Sequence, residues 1–194
     1  MVKSKHTLVA LVEDKPGVLN RIASMFRRRG FNIDSIAVGP SENTGQSRVT
    51  IVVNGDATMV EQVRKQLAKI VDVVKVADIT HEDIVTRELA LIKVKANSQT
   101  RSEIIQIVDI FRANIVDVST DSLTIEATGD EDKINSLYKL LRGFGVKEVA
   151  RTGAIALTRG GIIPADGEET KVKVAKKETK KTSGSKTATE EKPK

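Results

Sequence analysis

An internal repeat in the sequence of 194 residues limits the possible folds more than any other feature. The triplet Asn54-Gly55-Asp56 in the first half returns as Thr128-Gly129-Asp130 in the second. Met25-Phe26-Arg27 is likewise echoed by Ile110-Phe111-Arg112, and an Asn-Ile step follows each of them. Repeats of this kind indicate that one supersecondary unit occurs twice, so we expect two small, similar domains.

In the first half, the spacing of apolar residues predicts the element order βαββαβ. The first helix should begin at Pro16, because a missing N–H costs nothing in a first turn, and should end before Gly30. The predicted strands are 7–13, 31–39, 48–53 and 71–79, and the predicted helices are 16–29 and a second one marked by Val60, Val63, Leu67 and Ile70.

The second half repeats this order and adds a short edge strand at 154–158. Its predicted strands are 87–96, 114–119, 123–128 and 146–150, and its helices are 100–112 and one marked by Ile134, Leu137, Tyr138 and Leu141. A βαββαβ unit with both helices on one sheet face is ferredoxin-like. The predicted fold class is therefore α+β, with ferredoxin-like units at 5–79 and 87–163 and a linker at 80–86.

The first strand is apolar on both of its faces, from Leu8 to Val12. Helices cover only one face of a ferredoxin-like sheet. The other face or an edge must then meet another sheet, the second unit or another subunit, so a stand-alone monomer is not expected.

Composition excludes several kinds of chemistry. There is no Cys, which excludes a disulfide scaffold, a thiolate metal site and a catalytic thiol. His6 and His81 are the only imidazoles, so we expect neither a metal site nor a catalytic triad. The early apolar run is too short for a signal peptide or a membrane span, which predicts a cytoplasmic protein that does not contact membranes.

The C-terminal segment 165–194 has a different composition from the rest. It contains nine Lys and six acidic residues but no aromatic residue, Leu or Ile. Such a segment buries too little apolar surface to offset its ordering entropy, so we expect a disordered, solubilising tail. A basic tail can also bind nucleic acid non-specifically, but the remaining residues carry a nearly balanced charge, and no nucleic-acid partner is expected.

The junction between the first strand and the first helix is the best candidate for a binding site. The N–H groups of Gly17, Val18 and Leu19 lie at a helix start, where the helix dipole favours an anion. Asp14 lies beside them and can accept from an ammonium group. Together these groups meet the minimum requirement for holding a free amino acid. The alternative is that Asp14 merely caps the helix and that Gly17 merely eases packing.

Two further polar residues lie at strand starts. Asn32 offers both a donor and an acceptor, although a simple turn role explains it equally well. Arg48 enters the third strand and is interpreted as a contact to a partner, with a salt bridge or a solvated strand-end arginine as alternatives.

These segments resemble a known family. The ACT domain, an amino-acid-sensing module, is similar to Asp14-Lys15-Pro16-Gly17-Val18-Leu19 followed by Arg29-Gly30-Phe31-Asn32-Ile33. The resemblance extends over 5–163 and is to the small regulatory subunit of acetolactate (acetohydroxyacid) synthase. The further segments that carry it are Ser47-Arg48-Val49-Thr50-Ile51, Arg87-Glu88-Leu89-Ala90-Leu91-Ile92-Lys93-Val94, Phe111-Arg112 with Ile115-Val116-Asp117-Val118, and Ala150-Arg151-Thr152-Gly153.

The resemblance implies a protein with no active site of its own and no bound cofactor. Such subunits bind a separate catalytic large subunit, which uses thiamine diphosphate, magnesium and FAD. They raise its activity and usually confer feedback inhibition by valine, with leucine or isoleucine as other possible effectors. In this family the amino acid lies between two ACT domains of a homodimer.

Carried over by residue, the resemblance assigns Asp14, Gly17, Val18 and Leu19 of one chain and Asn32 and Ile33 of its neighbour to the effector site. Many members of the family have Asn where this chain has Asp14. An acid there suits an ammonium group but adds negative charge near the carboxylate of the ligand.

Two other functional classes share parts of this pattern. An RNA-recognition domain has the same element order but stacks bases on aromatic residues of its central strands, and strand 48–53 has none. Another ACT-type regulator, for example of transcription, is the main alternative, but it would normally carry a helical DNA-reading module.

Overall fold

The computed structural model describes residues 4–160, which form two βαββαβ units in succession. In the N-terminal unit the strands form one antiparallel sheet in the order β2-β3-β1-β4. Its elements are β1 (Ser4–Glu13), α1 (Val18–Arg29), β2 (Ile33–Pro40), β3 (Gln46–Gly55), α2 (Ala57–Leu67) and β4 (Val73–Asp78). This is the predicted ferredoxin-like arrangement.

The C-terminal unit repeats the arrangement, with the strand order β6-β7-β5-β8. Its elements are β5 (Ile84–Lys95), α3 (Arg101–Ile110), β6 (Asn114–Val118), β7 (Ser122–Gly129), α4 (Glu131–Arg142), β8 (Val146–Arg151) and β9 (Ile155–Thr158). The predicted short edge strand is β9, which pairs with the first residues of β5 and forms a two-stranded ribbon with them. Residues 84–86 of the predicted linker therefore belong to a strand, whereas the predicted tail at 165–194 lies outside the described residues.

The repeated Gly-Asp pair has a physical cause at the start of α2 and of α4. Asp56 is the N-cap of α2 and accepts a hydrogen bond from the backbone N–H of Met59 at 2.8 Å. Asp130 does the same for the N–H of Lys133, also at 2.8 Å. A Cβ on the preceding glycine would lie 2.5 Å from Met59 Sδ in one unit and 2.6 Å from Lys133 Cδ in the other. In both units, therefore, the aspartate caps the helix and the glycine before it leaves room for the Met59 or Lys133 side chain of the capped turn.

Each unit has its own core between its sheet and its two helices. In the N-terminal unit, α1 buries Val18, Ile22, Met25 and Phe26 against alternate residues of β1 and β3. In the C-terminal unit, α3 and α4 cover Ala90, Ile92 and Val94 of β5. This alternation follows from the pleat of a strand, which points successive side chains to opposite faces.

The second face of the N-terminal sheet is covered by the C-terminal unit. Val9 and Leu11 of β1 and Ala77 of β4 pack with Ala156 of β9 and Ile84 of β5. The apolar second face of strand 7–13 therefore finds its cover within the same chain.

Polar contacts also join the units. The backbone N–H of Ala154 donates to Ser35 Oγ at 3.0 Å, and Lys5 of β1 pairs with Glu131 of α4. The hydrogen bond from Lys5 lowers the pKa of the Glu131 carboxyl. Along residues 4–160, no helix is long and apolar enough to cross a membrane.

Candidate functional site

The loop between β1 and α1 presents unused backbone donors. Gly17 is the N-cap of α1 with φ 92°, and no side chain caps the helix. Within residues 4–160, the N–H groups of Gly17 and Leu19 have no hydrogen-bond partner, and that of Val18 makes only a long bond of 3.4 Å to the Lys15 carbonyl. Because the positive end of the helix dipole lies at the same place, this turn can accept an anionic group.

The helix begins two residues later than expected. The prediction that Pro16 opens α1 is wrong, because the left-handed conformation of Gly17 interrupts helical geometry and α1 starts at Val18. The alternative that Asp14 caps the helix is wrong for the same reason, since Gly17 occupies the N-cap position.

Asp14 is held by its backbone while its carboxylate is exposed to solvent. Its N–H donates to the Gly45 carbonyl at 2.8 Å, and the N–H of Glu13 donates to the Asp72 carbonyl at 2.9 Å. These two bonds fix the position at which the chain leaves β1. The exposed Asp14 therefore belongs to the same loop as the open start of α1 and has an anchored backbone.

Nearby cations are already paired. Lys15 Nζ donates to Glu13 at 2.6 Å, and this hydrogen bond raises the pKa of the Lys15 ammonium. Arg21 in the first turns of α1 pairs with Asp72. The donors available to an anion at this turn are thus the backbone N–H groups rather than these two side chains.

Val18 and Leu19 occupy different environments. The Val18 side chain is in the core, so only its backbone is accessible to a ligand. The Leu19 side chain is 48% exposed beside the loop, where it offers an apolar surface.

Asn32 and Ile33 lie at the opposite end of the sheet from Asp14. Ile33 pairs with Val53 at one end of β3, whereas Glu13 pairs with Gln46 at the other. The twelve residues of α1 separate the two groups by about 18 Å. Within one chain the structure therefore does not bring Asn32 and Ile33 to the β1–α1 loop. The exposed Asn32 amide makes only a long contact of 3.4 Å to Asp34.

Arg48 lies between the two units of its own chain. Its Nη2 donates to the Ala156 carbonyl of β9 at 3.0 Å, and burial lowers the pKa of the guanidinium. Within residues 4–160, no acidic side chain lies within ion-pair distance of it. The salt-bridge alternative therefore fails for this part of the chain.

The cleft beside Arg48 was not predicted from the sequence. One wall is the face of β2 and β3 that points away from the helices, and the other is the β5–β9 ribbon, which includes Arg87. From the sequence, Arg87 was predicted to start a strand and a segment that carries the family resemblance, but it was not predicted to be a site residue. Two sequence features were relevant to this cleft, namely the apolar second face of the first sheet and the extra edge strand. Neither feature predicts how the edge strand packs against the sheet.

The two imidazoles of the sequence are His6, which is buried, and His81, which is exposed. His6 is buried, and its Nε2 lies 2.9 Å from Ser4 Oγ. Across residues 4–160, no group of three or more His, Cys, Asp or Glu side chains is arranged to hold a metal ion.

Comparison with known families matches both units. A family described as "AHAS small subunit-like ACT domain" matches residues 8–75. A family described as "Small subunit of acetolactate synthase" matches residues 87–160. Both matches together span most of the described chain.

Individual relatives agree with these matches. A probable acetolactate synthase small subunit of Archaeoglobus fulgidus is 56% identical over 156 residues, which are 80% of this chain and 98% of the relative. The acetolactate synthase small subunit of Mycolicibacterium smegmatis is 52% identical over 155 residues, covering 80% of this chain and 91% of the relative. The chain belongs to the acetolactate synthase small-subunit family.

A solved structure supports the fold of this family member. The crystal structure of the acetolactate synthase small subunit from Thermotoga maritima has a TM-score of 0.76 and 45% sequence identity, covering 82% of this chain and 99% of that one. The ACT-domain match contains every residue that the sequence assigned to the effector site, together with Arg48.

The backbone of Gly17 generates a prediction about stability. Gly17→Ala should lower the free energy of unfolding by about 1–2 kcal/mol, because an L-residue is strained at this positive φ although its Cβ would meet no atom within 4 Å. Gly39→Ala is the matched control, since Gly39 has an equally open Cβ position without a positive φ. Urea unfolding of both variants checks this. Equal effects of the two substitutions would contradict it.

Proposed function

We propose that this chain is the non-catalytic regulatory subunit of acetolactate synthase, which activates the catalytic large subunit and makes it sensitive to valine. One observation carries the effector part of the proposal. The uncapped start of α1 presents free N–H groups, and the exposed Asp14 precedes its N-cap by three residues, so donors for a carboxylate and an acceptor for an ammonium group belong to one loop. Thiamine diphosphate, magnesium and FAD act on the catalytic partner in this scheme.

We further propose that two copies associate through β2. Within residues 4–160 this strand pairs only with β3, so its other edge is open there. Ile36 and Val38 pair with core residues of β3 and lie on the same face, yet they remain 40% and 44% exposed. An open edge with uncovered apolar side chains is suited to pairing with another strand.

This association would complete the effector site. In an antiparallel β2–β2 pair, the start of the partner's β2 lies beside the end of this chain's own β2. That end of the sheet also carries the β1–α1 loop, because Pro40 pairs with Ser47 and Glu13 pairs with Gln46. The partner's Asn32 and the partner's Ile33 would then approach Asp14 and Gly17, which they cannot reach within one chain.

Valine is the proposed effector, with leucine and isoleucine binding more weakly. The exposed Leu19 provides apolar contact for the side chain of the ligand. An extra methylene in an apolar pocket changes the binding free energy by only about 1–3 kcal/mol, so discrimination among branched amino acids should be graded. No observation on residues 4–160 favours a transcriptional regulator, since the two βαββαβ units account for all their helices.

Reconstitution tests the proposal as a whole. Purified chain added to the catalytic subunit should raise acetolactate formation, and valine should then inhibit the mixture, whereas the chain alone should produce no acetolactate from pyruvate with the three cofactors. Acetolactate formation by the chain alone, or an unchanged rate of the mixture, would refute the proposed role.

The β2 edge generates a second prediction. Val38→Lys should convert the homodimer to a monomer, because a lysine would be placed on the uncovered apolar row of β2. Val74→Lys is the matched control, as Val74 is 55% exposed on β4 at the other edge of the same sheet. Light scattering coupled to size-exclusion chromatography measures the mass. A dimeric Val38→Lys protein with unchanged mass would exclude this interface.

The effector site generates a third prediction, based on charge. Gly17→Asp should abolish inhibition by valine, because its carboxylate would compete for the N–H groups and repel the ligand, while activation should persist. Gly17→Asn has the same size and tolerates a positive φ, so it should retain more of the response. The dipole contribution to such a contact is about 0.3–2 kcal/mol. Activity against valine concentration, measured for both variants, separates charge from strain.

A mixed dimer tests whether the site spans two chains. Asn32→Ala alone should weaken valine binding by about 1–3 kcal/mol. A dimer of one Gly17→Asp chain and one Asn32→Ala chain contains one intact site if the site is shared between chains, and none if it lies within one chain. Calorimetry should therefore find one full-affinity valine site per mixed dimer, and finding none would refute the shared site.

A further inference from the structure

A second cleft lies between the two units, away from the β1–α1 loop. It has a volume of about 390 Å³, within the range of small-molecule sites. Ala37 and Thr50 of the N-terminal sheet line one wall, and Val85 and Leu157 of the β5–β9 ribbon line the other. Most of its surface is therefore apolar.

Two arginines line this apolar cleft, and within residues 4–160 neither has an acidic ion-pair partner. Arg48 makes one hydrogen bond, to the Ala156 carbonyl, and its buried Nε has no partner. Arg87 donates only to the carbonyl of Thr86, at 2.7 Å. Among residues 4–160, no acidic side chain forms an ion pair with either arginine.

Burial also makes the Arg48 charge costly. Loss of water lowers the pKa of its guanidinium, an effect that the charge of Glu42 only partly opposes. A partly desolvated cation is stabilised by an anion that reaches it, and arginine binds carboxylates through two parallel hydrogen bonds. The cleft therefore favours a ligand that carries both a negatively charged group and an apolar surface.

We propose that this cleft binds a small monocarboxylate with a compact apolar body and no ammonium group. The carboxylate lies between Arg48 and Arg87, and the apolar body packs between the sheet and the ribbon. Among residues 4–160, no Asp or Glu lines the cleft, so an ammonium group would meet two cations and no carboxylate there. This chemistry is the opposite of that at the β1–α1 loop, where Asp14 is available.

Calorimetry on the full chain tests this with 4-methylpentanoate as the probe. The acid should bind, and the neutral 4-methylpentanamide should bind at least about tenfold more weakly, because it loses the charge-assisted hydrogen bonds. The corresponding amine, 4-methylpentylamine, should show no binding. Equal binding of the acid and the amide, or no binding of the acid at millimolar concentration, would overturn the proposal.

Variants locate the site. Arg87→Gln should weaken binding of the acid at least about tenfold, and because Arg87 is exposed this change leaves the core intact. Arg48→Gln should have a similar effect, and Arg87→Gln decides the question if Arg48→Gln does not fold. Arg28→Gln, at an exposed arginine of α1 outside the cleft, is the matched control. A loss of binding in Arg28→Gln equal to that in Arg87→Gln would overturn the assignment.

The same titration separates this site from the proposed effector site. Gly17→Asp should leave binding of 4-methylpentanoate unchanged, because the β1–α1 loop does not line the cleft. Loss of acid binding in Gly17→Asp with retention in Arg87→Gln would place the acid at the loop and refute the cleft.

Discussion

Burial of β1 on both faces is the constraint on which the rest of the structure depends. Its residues from Leu8 to Val12 are at most 8% exposed, with helices on one side and the β5–β9 ribbon on the other. A single ferredoxin-like unit supplies only the first of these covers. In this chain the second unit supplies the other cover by packing the β5–β9 ribbon on the first sheet, and this packing creates the contacts between the units.

The open start of α1 follows from the same strand. Because β1 is fixed on both faces, its end at Glu13 is rigidly placed, and two backbone hydrogen bonds hold the exit of the chain. The turn at Gly17 then reverses direction without a capping side chain. Its unused N–H groups are thus presented from a stiff support, which reduces the ordering entropy that a bound ligand would have to offset.

Local patterns predicted the elements, whereas contacts between units could not be predicted. The Gly-Asp pairs at 55–56 and 129–130 mark helix starts through steric space and capping, both of which depend on residues a few positions away. The start of α1 was misplaced because the left-handed backbone of Gly17 is not encoded by apolar spacing. The hydrogen bond from Arg48 to Ala156 joins residues 108 positions apart. The periodic spacing of apolar residues describes single helices and strands, so it cannot predict a contact between such distant residues.

Electrostatics, rather than fold, distinguishes the two candidate sites. Arg48 lies on β3 opposite Leu11, close to the sheet end from which the β1–α1 loop leaves, so one sheet supports both sites. At the loop, neutral backbone donors adjoin Asp14, and a ligand with both a carboxylate and an ammonium group satisfies both. In the cleft, two arginines and apolar walls are found without an acid among residues 4–160, an arrangement that would disfavour an ammonium group. The ligand classes proposed for the two sites therefore differ because of charge on one scaffold, with a carboxylate at position 14 of the loop and two arginines in the cleft.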